Sequence, residues 1–144
     1  MQQAKQGPFP RPPICLALIL AQEVACNLDT GLLTIVGPYS TLNVEKCPIE
    51  LITIQAYAAL TACDGDVMVE LQMVDVNQVR PLVFRHLVSA SFEGPQDVQE
   101  IIFHQYNVAI PVADEYRFLL TVYRPDFTYP EFITERRLTI RTLT

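Results

Sequence analysis

The chain is 144 residues long, half of them hydrophobic, with a formal net charge of −6 and a mean hydropathy of +0.22. That length fits one domain of roughly 100–150 residues, and so apolar a composition excludes a disordered chain. Both halves are net acidic, which excludes binding to nucleic acid or an anionic membrane surface through a positive field.

Residues 1–13, with Pro8, Pro10, Pro12 and Pro13, read as an extended, mobile Pro-rich lead-in, and residues 14–144 as a single domain. The apolar run from Ile14 to Ala21 follows Lys5 and Arg11, as in a secretion signal, but prolines crowd its approach and Gln22 and Glu23 end it early. It is far short of the about 20 apolar residues of a spanning helix. A buried strand over residues 14–26 accounts for it more simply. Leu16, Leu18, Ile19 and Leu20 make that strand apolar on both faces, so it is central in its sheet or covered by another chain.

The turn-forming sequence NLDTG leads into a second strand over residues 32–36. Gly37-Pro38 breaks it, and residues 39–44 read as an irregular edge. Residues 49–63 alternate: Ile52, Ile54, Ala56, Ala58 and Leu60 share one face, and Thr53, Gln55, Tyr57 and Thr61 the other. After the tight turn Asp64-Gly65-Asp66, the next strand points Val67, Val69, Leu71 and Met73 one way and Glu70 and Gln72 the other. A strand over residues 82–92 follows, with Phe84, His86, Val88, Ala90 and Phe92 on one side. Residues 99–110 read as a strand. Asp97 and Glu100, spaced as a capping box, leave open a short helix over residues 97–106. Late strands place Tyr116, Phe118, Leu120 and Val122, then Leu138 and Ile140, inward. Seven to eight short strands with no long helix predict an all-β, antiparallel sandwich.

Little chemistry is written on this frame. There is no GxGxxG, P-loop or GxSxG elbow, and no cofactor is expected. Cys15, Cys26, Cys47 and Cys63 contain no CxxC pair, and four reduced thiols in a cytoplasmic protein are favoured over two disulfides in a secreted form. His86 and His104, on the apolar parity of their strands, are the candidates for a metal or acid–base pair, with Asp29, Asp64, Asp66 and Asp114 as loop carboxylates. A lone Asp-Gly-Asp is more often simply a turn, and two histidines lack a third ligand at fixed spacing. Arg136, Arg137 and Arg141 read as solvated strand faces. The loop DFTYPEF differs, because Phe127, Tyr129 and Phe132 sit in a proline-bounded tip where exposed aromatics favour recognition.

The stretch PVADEYRF, from Pro111 to Phe118, resembles the opening of a late strand in immunoglobulin-like sandwiches. That resemblance implies a corner role for Tyr116, its hydroxyl bonding back to the backbone. The wider layout also resembles a group of small, uncharacterised bacterial proteins without assigned function. It rests on the apolar first strand, TIVG from Thr34 to Gly37, EYRF, and ERRLTI from Glu135 to Ile140.

The expected function is therefore that of a non-enzymatic module with no catalytic residue, acting on a protein partner or as a homo-oligomer. Phe127, Tyr129 and Phe132 are its contact residues. The alternative is a metal-binding, catalytic sandwich using His86, His104 and loop carboxylates.

Overall fold

A computed structural model describes residues 7–79 and 81–143. Among them the alternating pattern resolves into nine strands: β1 (Ile14–Cys26), β2 (Leu33–Pro38), β3 (Thr41–Val44), β4 (Ile49–Thr61), β5 (Gly65–Val74), β6 (Leu82–Phe92), β7 (Gln99–Ile110), β8 (Glu115–Tyr123) and β9 (Glu131–Thr142). They form two sheets, one ordered β2-β1-β4-β7 and the other β3-β9-β8-β5-β6. All neighbours are antiparallel except β3 and β9. The protein is an all-β, two-sheet sandwich.

The core lies between the sheets and follows the predicted parity. On β4, Ile54, Ala56, Ala58 and Leu60 are buried; on β5, Val67, Val69, Leu71 and Met73; on β8, Tyr116, Phe118, Leu120 and Val122. Each large side chain removed from water contributes about 1.5–3 kcal/mol, so these central strands carry much of the stability. Phe84 of β6 meets Phe118 of β8 edge to face, with ring centroids 6.1 Å apart.

The structure departs from the seven to eight expected strands at the edges. The irregular segment before Val44 holds a short strand because β9 offers it a parallel partner, with Thr41 opposite Thr139 and Val44 opposite Thr142. β2 runs on through Gly37 and Pro38, which an edge strand tolerates. The segment that could have been helical is strand β7. The Asp97 carboxylate, instead of capping a helix, accepts the backbone N–H of Glu93 at 3.1 Å and so closes a turn. Along β7 the buried set is Ile101 and Phe103, then Val108 and Ile110. The phase slips by one residue at Asn107, whose φ of 56° suits an Asn better than a branched residue.

Residues 1–6 of the lead-in lie outside the described residues. Of residues 7–13, Phe9 packs on the core and Pro13 is buried, while Gly7, Pro8, Pro10, Arg11 and Pro12 are exposed. At the other end of the sandwich, the hydroxyl of the fully buried Tyr116 donates to the Val112 carbonyl at 2.7 Å. Burial, reinforced by the charges of Asp75 and Asp114, pushes this phenol up to about 12. Its folded value exceeds its unfolded value, so its contribution is complete below about pH 10 and is lost as the pH rises through about 12. Tyr116→Phe is expected to cost about 1–2 kcal/mol at neutral pH and to lessen this alkaline loss. Urea unfolding at a series of pH values measures both effects.

Candidate functional site

β8 commits each second residue to the core, and the residue that continues the series is Arg124. It is only 4% exposed, so its guanidinium must find acceptors inside the protein. Nε donates to the Gly7 carbonyl at 2.9 Å, and Nη1 to the Asp64 carbonyl at 2.7 Å. Nη2 lies 3.5 Å from Asp64 Oδ1, and the cation stands 4.0 Å from the centre of the Phe9 ring. One side chain thus ties the lead-in and the β4–β5 turn to the root of the aromatic loop.

The loop itself is a compact turn. Arg124 N–H donates to Thr128 O at 2.9 Å, Phe127 N–H donates to Arg124 O at 2.8 Å, and Asp126 Oδ1 accepts both the hydroxyl and the N–H of Thr128. Phe127 and Tyr129 have φ of 63° and 54°, in the left-handed region that costs an L-residue of this size about 1–2 kcal/mol. That expense holds both aromatics at the surface, where Phe127, Tyr129 and Phe132 remain 47%, 44% and 59% exposed.

Phe127 also folds partly back. Its ring centroid is 5.8 Å from that of Tyr123, and the Arg85 guanidinium stands 5.7 Å from it. Beneath them lies Glu70, on the outer face of β5 yet only 1% exposed. Arg85 Nε donates to Glu70 Oε2, and the Tyr123 hydroxyl donates to Oε1 at 3.2 Å. A buried carboxylate is tolerable only with such donors. Burial pushes the Tyr123 phenol up, and the nearby Glu70 charge adds to the effect. Beside the loop, Asp66, Met68, Ser89, Ser91 and Pro125 line an open concavity of about 430 Å³, with Ser91 Oγ donating to Asp66 Oδ1 at 2.7 Å. Aromatic loop, paired cation and adjoining hollow lie together on one surface.

The histidines do not come together. His86 Nδ1 is 3.0 Å from Gln105 Oε1, and its ring meets Phe103 edge-on between the sheets. His104 belongs to the opposite face of β7, contrary to the expected parity, since its neighbour Phe103 points into the core. There His104 Nε2 lies 3.3 Å from the Val24 carbonyl, with the Tyr106 hydroxyl 3.5 Å from Nδ1. The loop carboxylates do not converge either. Asp64 and Asp66 sit at the start of β5, whereas Asp114 precedes β8, which runs antiparallel to β5 and so begins at its far end. Among the described residues no group of three or more His, Cys, Asp or Glu is placed to hold a metal ion. Arg136, Arg137 and Arg141 are exposed, with Arg137 3.8 Å from Glu115. Sequence reading missed Arg124 and Glu70. The first was detectable as a cation on the buried parity of β8, whereas the second is covered by a loop whose course no strand pattern encodes.

No family model matches this chain, and no curated protein matches it. Among solved structures, a β-glucosidase from Listeria innocua in complex with isofagomine is similar at a TM-score of 0.42 and 10% identity. The match covers 88% of this chain and 16% of that one. The same enzyme in complex with glucose gives 0.41 and 9%, covering 87% and 16%. The chain spans about a sixth of those enzymes, and so weak a likeness carries no argument about function.

The Arg124 clamp generates a direct expectation. Arg124→Met keeps the volume but leaves the Gly7 and Asp64 carbonyls without their donor, and should cost about 2–4 kcal/mol. Chemical denaturation measures the loss, and limited proteolysis should then cut ahead of Ile14 sooner than in the parent protein.

Proposed function

We propose that this chain is an immunoglobulin-like contact module, without catalytic activity of its own, whose aromatic tip docks a protein partner. The observation that carries the reading is the pair of aromatic residues held at positive φ. Strain of this kind is retained where the surrounding structure enforces it, and it gathers at binding surfaces. Half-exposed aromatic rings beside a guanidinium are the side chains that protein interfaces favour.

The immunoglobulin-like assignment draws on the Tyr116 bond to Val112 and on the parallel pairing of a short strand with the last one. It is in keeping with the resemblance to small uncharacterised bacterial proteins. The matching stretches TIVG and ERRLTI lie in β2 and β9 and are structural rather than chemical. A second copy of the chain is the alternative partner. Ile19, Tyr57 and Ile102 stand side by side across β1, β4 and β7 on the outer face of their sheet, each half-buried. No described helix is long and apolar enough to cross a membrane. We place the chain in a reducing compartment such as the cytoplasm, where its four cysteines stay as thiols.

The test is Tyr129→Ser combined with Phe132→Ser, both exposed and therefore expected to shift stability by no more than about 0.5 kcal/mol. Proteins retained from a native lysate by the parent chain should be lost with the double variant, and equal retention by both would sink the reading. Sedimentation over micromolar concentrations separates a foreign partner from self-association. Thiol titration should find four reactive groups after denaturation without reductant. In the native protein Cys26 should react first and the buried Cys63, whose thiol is pushed up by burial, last.

A further inference from the structure

At the end of the sandwich away from the aromatic tip, two carboxyl groups meet. Asp75 follows β5 and is 1% exposed; Asp114 precedes β8. Asp75 Oδ1 accepts the backbone N–H of Asn77 at 3.0 Å, while the buried Asp75 Oδ2 has no hydrogen-bond partner. The group facing it is the Asp114 carboxyl, itself an acceptor. Asp114 is well supplied: Glu115 N–H donates to Oδ1 at 2.8 Å, and Asn77 Nδ2 lies 3.1 and 3.3 Å from its two oxygens. Two ionised carboxylates bridged by the single residue Asn77, one of them out of water, would repel each other.

We propose that Asp75 and the ionised Asp114 share one proton, held on Asp75 and donated through Oδ2, latching the turn after β5 to the turn before β8. The donors are distributed to suit this. Asp114 has the N–H groups that stabilise a charge and Asp75 has the burial that removes one. Desolvation pushes the Asp75 carboxyl above the usual range, and the Glu115 N–H holds Asp114 below it. The other groups around the pair do not replace the proton. Glu115 turns to Arg137, Tyr116 is bonded to Val112, and Cys47 lies beside Tyr116. The Gln78 side chain bonds to Asp75 and favours its charged form, but by less than burial opposes it, and no described ion pair includes either aspartate. A metal ion fits less well, because the Asn77 amide presents N–H groups where a cation needs lone pairs. Asp75, Gln78 and Pro81 also form one wall of a cavity of about 370 Å³ that Phe84, Val108 and Pro111 help to close.

The signs follow from linkage. Asp75 has a raised folded value, so its contribution is complete below the ordinary Asp range and is lost as the pH rises through that value. Asp114 has a lowered one, so its contribution is present above the ordinary range and is lost only in stronger acid. Asp75→Asn supplies an amide that can make the same donation at every pH while its oxygen still accepts from Asn77. Urea unfolding of both proteins from about pH 4 to 8 should show the parent's folded-to-unfolded ratio falling relative to the variant. The fall should be about tenfold per pH unit wherever only the folded state holds the proton. A constant ratio between the two proteins overturns the proposal. Should the variant fail to fold, carboxyl carbon NMR of the parent decides. Asp75 titrating above the ordinary Asp range supports the latch, and titration within or below that range overturns it. A rise in the parent's stability on adding millimolar calcium, absent in the variant, assigns the pair to a cation and likewise overturns the latch.

Discussion

A strand buries one face only by committing each second residue to it, and β8 obeys this without exception from Tyr116 to Val122. The same geometry then carries Arg124 inward at the point where the strand ends. A guanidinium cannot stay there unless acceptors are brought to it, and the two chain segments that supply them are otherwise remote in sequence. Most of the tip descends from that demand. The lead-in is drawn across the domain, the β4–β5 turn is fastened, and the loop after Arg124 must reverse tightly enough to leave its aromatics outside.

Much of this frame could be read from alternation alone. β1, β4, β5, β6, β8 and β9 were expected close to where they lie, because their patterns repeat over lengths that no helix would tolerate. Elements that depend on a distant partner were less legible. β3 is too short to announce itself and exists because β9 pairs with it. β7 carried a helix-capping signature, yet Asp97 spends its carboxylate on the preceding turn. The same strand misplaced His104, since its parity changes at Asn107 and counting from Tyr106, Val108 and Ile110 inverts the first half. Of the candidate site, the three aromatics were legible as exposed, whereas Glu70 beneath them was not.

The protein buries acidic groups by two different means. Glu70 is answered by Arg85 and Tyr123, whose own side chains meet the Phe127 ring. Asp75 has no cation, and in the proposed latch it gives up its charge instead. The first device relies on a guanidinium, which holds its charge whatever the pH near neutrality. The second is sensitive by construction. Glu70 lies in the middle of β5 and Asp75 just beyond its last residue.

The anchoring of Gly7 beneath the aromatic loop has a practical corollary. β9 sets out from that tip at Glu131 and delivers the chain to the far end at Thr142. A fluorophore, affinity handle or surface tether attached just ahead of Gly7 would crowd the rings, whereas one attached beyond Thr142 would hold the molecule upright with its aromatic end presented to solution.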